Sequence, residues 1–113
     1  MDPILKHHFE NIAGGKAVKN KDGSISTVYT RQIDINGVPT LIPSVWDGKI
    51  LNEKDATKRA IKSRIKWPQA QSHEELRAYD KTLHEGMSPI SAEEAREILN
   101  RNKKASLLGR GTE

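Results

Sequence analysis

The sequence predicts an α+β fold in which a β-hairpin comes first along the chain and two to three short helices follow it. Between residues 25 and 46, β-branched and aromatic residues flank Asn36-Gly37, the strongest short-range signal of a hairpin turn. After Asn52 the apolar period changes from two to about 3.6 residues, as in helices. Capping boxes that begin at Ser72 and Ser91 indicate where two later helices start.

The first 22 residues predict an N-terminal arm that contains at most one short helix. Asp2 suits a helix cap, Pro3 a first helical position and Gly14 a helix end. An amphipathic helical turn over residues 3–12 is therefore one interpretation, and a loose arm is the other.

The hairpin has a predicted register. A two-residue loop at Asn36-Gly37 pairs the two residues that flank it, and this first pair fixes every pair further along the two strands. Pro39 and Pro43 cannot donate to a ladder, so the second strand should be an edge strand or carry a bulge. The expected pairs are Ile35 with Val38, Ile33 with Thr40, Arg31 with Ile42 and Tyr29 with Ser44.

A second turn and three helices are predicted after the hairpin. The turn spans residues 46–49, and Ile50-Leu51 can add a short third strand. Asn52 is a suitable cap for the first helix, Trp67-Pro68 ends that helix, and Gly86 ends the second. The predicted helices span residues 53–66, 73–85 and 91–103.

These elements divide the chain into four parts. Residues 1–22 form the arm, 23–85 the small α+β domain and 86–104 the C-terminal helix. Residues 105–113 have no apolar period and contain two glycines, so they are predicted to form a flexible tail.

The composition predicts a small core. Val, Ile, Leu and Phe together account for 24 of the 113 residues, a fraction close to that of disordered chains. We therefore expect polar arms that order only against a neighbouring subunit. The longest apolar runs are far shorter than the roughly 20 residues of a membrane span. The first fifteen residues lack the pattern of a signal peptide, so we expect the chain to stay in the cytoplasm in which it is made.

The residue types argue against an enzyme. Cysteine is absent, which excludes disulfides, thiolate metal sites and cysteine nucleophiles. No nucleophile elbow, phosphate-binding loop, dinucleotide fingerprint or HExxH motif occurs. His7-His8 are expected to be solvated rather than a metal site. The paired acids Glu74-Glu75 and Glu93-Glu94 are explained by the first turns of helices. We predict no catalytic residue, no metal and no cofactor.

The clearest polar feature is an acid-free basic stretch between residues 56 and 73. On a helical wheel Arg59, Lys62 and Lys66 gather on one face, opposite Ile61 and Ile65. A solvated face is the simpler interpretation, and weak, salt-dependent binding to nucleic acid is the alternative. Trp67 is interpreted either as a core residue or as a surface contact. The candidate partner or nucleic-acid contacts are Arg59, Lys62, Lys66 and Trp67.

A series of short motifs runs from residue 23 to residue 85. It comprises Gly23-Ser24, Ser26-Thr27-Val28, Gly37, Leu41-Ile42-Pro43, Asp47-Gly48-Lys49, Ala56, Tyr79 and Leu83-His84-Glu85. This series resembles a small domain that recurs in bacteriophage virion proteins, within long polyproteins or as a standalone protein. The chain departs from that pattern at Ser44, where relatives carry threonine, and at residues 65–69, where relatives carry a glycine-containing connection.

The resemblance implies a standalone, non-enzymatic virion protein that binds other phage virion proteins at the capsid, the portal and tail region, or the ejected internal complex. Multiple copies in a symmetric assembly are expected, located in the host cytoplasm before assembly and in the virion afterwards. A small nucleic-acid-binding protein is the first alternative. An accessory to a phage cell-wall lytic enzyme is the second, because some relatives carry a peptidoglycan-cleaving transglycosylase segment.

Overall fold

The computed structural model has the predicted α+β architecture. It describes the backbone of residues 1–87 and 90–111 and the side chains of residues 1–87 and 90–104. The strands form three two-stranded antiparallel sheets, β1 with β2, β3 with β4 and β5 with β6. The helices are α1 (Pro3–Ala13), α2 (Glu53–Lys62), α3 (His73–Glu85) and α4 (Ala92–Gly111), and the strands are β1 (Val18–Lys19), β2 (Ile25–Ser26), β3 (Arg31–Ile35), β4 (Val38–Ile42), β5 (Val45–Trp46) and β6 (Lys49–Ile50).

The predicted hairpin register is confirmed within the long hairpin. Strands β3 and β4 pair Ile35 with Val38 next to the turn, and the ladder runs out to Arg31 opposite Ile42. It stops there because Tyr29 has a positive φ of 42°, which removes it from the strand. The Ser44 amide instead donates to the carbonyls of Val28 and Tyr29, so the predicted pairing of residues 29 and 44 is wrong.

The hairpin turn requires glycine at position 37, where φ is +78°. We expect Gly37→Ala to lower the free energy of unfolding by about 1 to 2 kcal/mol, because a Cβ disfavours this left-handed conformation. Urea denaturation measures the loss. Gly86→Ala is the matched control, since Gly86 has a φ of −91° and an added Cβ would meet only ordinary contacts. Equal losses in both variants would contradict this account of the turn.

Residues 68–70 extend the hairpin on the outer side of β4. The Leu41 amide donates to the Pro68 carbonyl, and the Ala70 amide donates to the Pro39 carbonyl. Pro39 is tolerated because it contributes only its carbonyl to this bridge, so the N–H that proline lacks is not needed there. The prediction of an edge strand is therefore modified: β4 lies between β3 and a short bridge at Gln69.

Strand β4 forms the middle of the core. Its consecutive residues Leu41 and Ile42 are both completely buried, and consecutive side chains of a strand point to opposite faces. Both faces of β4 are therefore covered, and both α2 and α3 contact this strand. The remaining buried members of the core cluster are Ile4, Val28, Ile33, Ala56, Ala60, Trp67, Leu76 and Leu83.

Helix α1 gives the N-terminal arm a fixed place in this fold. The Asp2 carboxylate accepts from the Ile4 and Leu5 amides and caps the helix, as the sequence allowed. Ile4 is completely buried, and α1 packs along α4. The loose-arm alternative, and the expectation that this segment orders only against a neighbour, are therefore wrong for residues 3–13.

Helix α4 is longer than the predicted helix over residues 91–103. Its backbone continues to Gly111, through most of the segment predicted to be a flexible tail. Glycine lowers helix propensity by about 1 kcal/mol but does not forbid a helix. Residues 112 and 113 of the predicted tail lie outside the described residues. Within the described chain, no helix combines the length and apolarity needed to cross a bilayer.

Candidate functional site

Helix α2 ends at Lys62, four residues before the predicted end, because the chain reverses there. The Ser63 hydroxyl and the Trp67 indole N–H both donate to the Ala60 carbonyl, at 2.6 and 3.1 Å. Arg64 adopts a positive φ of 58°, which turns the backbone back toward the core. Burial of Trp67 therefore decides where the helix stops.

Two isoleucines of this segment lie on the surface. Ile61 is 56% exposed and Ile65 is 45% exposed, so the side of α2 opposite the cations is not buried at these two residues. The inward side consists of Ala56 and Ala60, which are fully buried. We define the 61–66 surface as the five exposed residues of this turn: Ile61, Lys62, Arg64, Ile65 and Lys66.

Two of the four predicted contact residues belong to this surface and two do not. Arg59 pairs with Asp47 at 2.8 Å and stacks over the Trp46 ring at 5.0 Å, so its charge is already used within the chain. Trp67 is only 5% exposed and belongs to the core. The four candidates are therefore divided: Arg59 and Trp67 have partners within the chain, while Lys62 and Lys66 are exposed.

A groove of about 830 Å³ begins at Lys66, beside the 61–66 surface. Pro3 at the start of α1 and Pro68 line it, together with Leu76 and Tyr79 from α3. Its remaining lining residues are Asp2, Gln69, Ala70, Gln71 and Glu75.

The two carboxylates that line the groove accept hydrogen bonds from uncharged groups of the same chain. Asp2 caps α1 and also accepts from the Tyr79 hydroxyl. Burial, followed by the hydrogen bond and the charge of Asp2, raises the pKa of Tyr79 to about 12, which keeps this hydroxyl protonated as the donor. Glu75 accepts from the Gln71 amide at 3.3 Å. Lys66 supplies the positive charge of the lining and forms no salt bridge with a described acid.

The adjacent histidines of α1 are buried, so the expectation of a solvated pair is wrong. His7 donates from Nε2 to the Val45 carbonyl at 2.7 Å, and His8 Nδ1 lies 2.6 Å from the Thr27 hydroxyl. Burial lowers the pKa of both, although the hydrogen bond to Val45 and the charge of Glu10 oppose the shift of His7. His7 also packs against the Trp46 ring, with 4.5 Å between centroids. The pair joins α1 to the strands.

A second polar cluster joins the loop before β3 to α3. The Thr30 hydroxyl lies 2.9 and 3.0 Å from the two Asp80 carboxylate oxygens, and His84 Nε2 lies 3.2 Å from Asp80. The same histidine nitrogen is 3.4 Å from the Thr30 hydroxyl. A catalytic triad uses different ring nitrogens for the acid and the nucleophile, so this cluster lacks that arrangement. Sequence reasoning missed it, although the i,i+4 spacing of Asp80 and His84 was a signal.

The paired acids of α3 and α4 have the predicted structural role. The Ser72 hydroxyl accepts from the Glu75 amide, and the Ser91 hydroxyl accepts from the Glu94 amide. Glu94 completes its capping box by reaching back to Ser91. Among the described side chains, no three His, Asp or Glu residues converge as a metal site.

Comparison of the chain with protein-family models, with curated proteins and with solved structures finds no match. The resemblance to phage virion domains therefore stays a prediction, based on the motifs of residues 23–85.

Proposed function

We propose that the chain is a non-enzymatic bacteriophage virion protein that binds other virion proteins through the 61–66 surface. The observation that carries this proposal is the exposure of Ile61 and Ile65 between three cations. A partner protein that covers the exposed half of such a side chain recovers part of the about 1.5 to 3 kcal/mol that complete burial contributes. Exposed apolar side chains rimmed by charge are typical of protein interaction sites.

The motifs that carry the resemblance support a structural role. Leu41 and Ile42 are core residues, and Gly37 and Gly48 provide positive φ in two turns. Positions of this kind specify a fold rather than a reaction. A virion assembly protein needs a stable fold that presents a binding surface, and motif residues of this kind provide that fold.

The nucleic-acid alternative has less support. Arg59 is already paired with Asp47, and Trp67 is buried, so neither is free to contact a nucleic acid. The exposed isoleucines add nothing to phosphate binding, whereas an apolar partner surface with an acidic rim matches the whole 61–66 surface. No described feature favours the accessory role in cell-wall lysis.

Incorporation into particles tests the proposal. We expect the wild-type protein at a fixed copy number in purified phage, and the Ile61→Ser/Ile65→Ser variant reduced about tenfold or more, since each 1.4 kcal/mol is a factor of ten. Quantitative mass spectrometry of purified particles measures both. Ile25→Ser is the matched control, because Ile25 is 63% exposed and lies in β2, outside the surface.

The outcomes separate the parts of the proposal. Absence of the wild-type protein from particles would overturn the virion role. Equal incorporation of the double variant and the control would overturn the role of the 61–66 surface. Retention of duplex DNA at about 0.15 M salt would instead favour the nucleic-acid alternative.

A further inference from the structure

We propose that a second cavity, between α1, β2 and the end of α3, binds an uncharged small molecule that has an apolar body and one hydroxyl group. The inference goes beyond the proposed function, since this cavity shares no lining residue with the 61–66 surface. Three observations carry it: an apolar lining, a buried histidine nitrogen that has no partner, and a strained tyrosine at the entrance.

The cavity has the size and the lining of a small-molecule site. Its volume is about 770 Å³, within the range of about 300 to 1,000 Å³ that is typical of such sites. None of its described lining residues is a carboxylate, a lysine or an arginine. Apolar cavities take apolar ligands, because such ligands lose little hydration on entry. The apolar lining residues are Ile12, Ala17, Ile25, Val28, Tyr29, Met87 and Ile90.

The lining disfavours a charged ligand. Its basic groups are the imidazoles of His8 and His84. Burial lowers the pKa of His8, so this ring is neutral at neutral pH. His84 Nε2 lies 3.2 Å from the Asp80 carboxylate, which offsets the charge of that ring whenever it is protonated. An ionic group in the cavity would therefore lose its hydration without gaining an opposite charge.

A polar group at the floor of the cavity lacks a hydrogen-bond partner. His8 and Val28 are the most buried of the described lining residues, at 3% and 1% exposure. His8 Nδ1 contacts the Thr27 hydroxyl at 2.6 Å, whereas its Nε2 is buried and has no partner among the described residues. Buried polar groups are nearly always hydrogen-bonded, so this nitrogen indicates where a polar group of a ligand is expected.

A hydroxyl group suits this nitrogen in either tautomer of His8. If the Thr27 hydroxyl donates to Nδ1, then Nε2 carries the proton and needs an acceptor. If Nδ1 donates to Thr27, then Nε2 needs a donor. A hydroxyl both donates and accepts, whereas a carbonyl only accepts. The ligand that meets both cases is therefore an alcohol or a phenol.

Tyr29 forms the entrance of the cavity in a strained conformation. Its φ of 42° is uncommon for a residue that has a Cβ, and such strain is concentrated at ligand sites. Burial of the side chain does not account for the strain, since Tyr29 is 49% exposed. The Arg31 guanidinium packs over the ring, 5.3 Å from its centroid, and holds it in place. A fixed aromatic ring gives an apolar ligand a flat contact surface.

Three probes that share one ring system test the inference. They are 2-naphthol, naphthalene and 2-naphthalenesulfonate, each titrated into the ¹⁵N-labelled full-length protein and followed by NMR. We expect 2-naphthol to bind about tenfold more tightly than naphthalene, because it adds a hydrogen bond, and at least about tenfold more tightly than the sulfonate. The amides of residues 25–29 should shift. No binding of 2-naphthol, tighter binding of the sulfonate, or shifts confined to other segments would overturn the proposal.

A cavity-filling variant locates the ligand. Ala17→Phe adds a ring to a half-buried lining residue and should weaken binding of 2-naphthol about tenfold or more. Ala70→Phe is the matched control, since Ala70 is a half-buried alanine that lines the groove beginning at Lys66. Equal losses of affinity in the two variants would contradict the position of the ligand.

A second pair of variants tests the hydrogen bond. His8→Phe keeps a ring but removes both nitrogens, so it should abolish the preference for 2-naphthol over naphthalene. His73→Phe should keep that preference, because His73 lies outside the cavity. The ratio of the two affinities is measured on one folded variant, so a general loss of stability does not change it. An unchanged ratio in His8→Phe would overturn the role of this nitrogen.

An end-blocked alanine peptide with one central tyrosine separates a small molecule from a side chain of a partner protein, since both can supply a phenol. We expect this peptide to bind about tenfold or more weakly than 2-naphthol, because its flexible chain loses entropy that a rigid ring does not. Tighter binding of the peptide would identify a protein-binding site and overturn the assignment to a small molecule.

Discussion

Leu41→Ala is expected to lower the free energy of unfolding by about 2 to 5 kcal/mol, the range for truncating a buried leucine. Leu41 is completely buried in the middle of β4, where both faces of the strand are covered. The surrounding elements cannot close the cavity without moving the hairpin. For a domain with so small a core, this loss is a large share of the 5 to 15 kcal/mol that typically stabilises a protein.

Urea denaturation followed by fluorescence of Trp46 and Trp67 measures the Leu41 effect. Val38→Ala is the control on the same strand, because Val38 is 37% exposed and its truncation should cost less than about 1 kcal/mol. Leu41→Met, which nearly conserves volume, should cost less than about 1.5 kcal/mol and keeps the test valid if the alanine variant does not fold. Similar losses for Leu41→Ala and Val38→Ala would show that β4 is not the centre of the core.

Acidification from pH 7.5 to pH 5.5 is expected to lower the free energy of unfolding through His7 and His8. Burial lowers the pKa of both histidines in the folded state below the ordinary 6.5. Well above that ordinary value both histidines are neutral in the folded and in the unfolded chain, so the free energy of unfolding has its full value there. Below it the unfolded chain binds protons that the folded chain does not bind, so the free energy of unfolding falls until the pH passes the folded-state pKa values.

Urea denaturation at a series of pH values measures this slope, and NMR titration of the imidazole nitrogens assigns it. The His7→Gln/His8→Gln variant should lose most of the dependence. His73→Gln should keep it, because His73 is a partly exposed histidine on α3 that pairs with Asp34 at the surface. Stability that is constant between pH 7.5 and pH 5.5, or a slope removed by His73→Gln, would contradict the role of the buried pair.

The predicted features that the structure confirms are those governed by neighbouring residues. The turn at Asn36-Gly37 determines the register of β3 and β4 without reference to the rest of the chain. Ser72 and Gly86 likewise set the two ends of α3, which has the predicted bounds. Turn and helix-end signals depend on only a few neighbouring residues, so they can be recognised in a single sequence.

The features that sequence reasoning missed depend on contacts between distant segments. The Trp67 indole is buried against the end of α2, and Ile61 is exposed because Ala56 and Ala60 form the side of α2 that faces the core. The acid-free basic stretch identified Lys62 and Lys66 but not that Arg59 would be paired with Asp47. The groove joins residues near position 2 to residues near position 79, and no local pattern predicts such a meeting.

The packing of α1 against α4 has a consequence for the order in which the chain folds. The Arg96 guanidinium donates to the Ala13 carbonyl at 3.2 Å, and Asn11 donates to the carbonyls of Thr27 and Val45. Helix α1 therefore finds its partners only among residues made after it, some of them more than eighty positions further along the chain. Closing so long a loop carries an entropic cost before any contact stabilises it. The long hairpin consists of local contacts and can form early, whereas α1 can dock on α4 only after residue 96 has been synthesised.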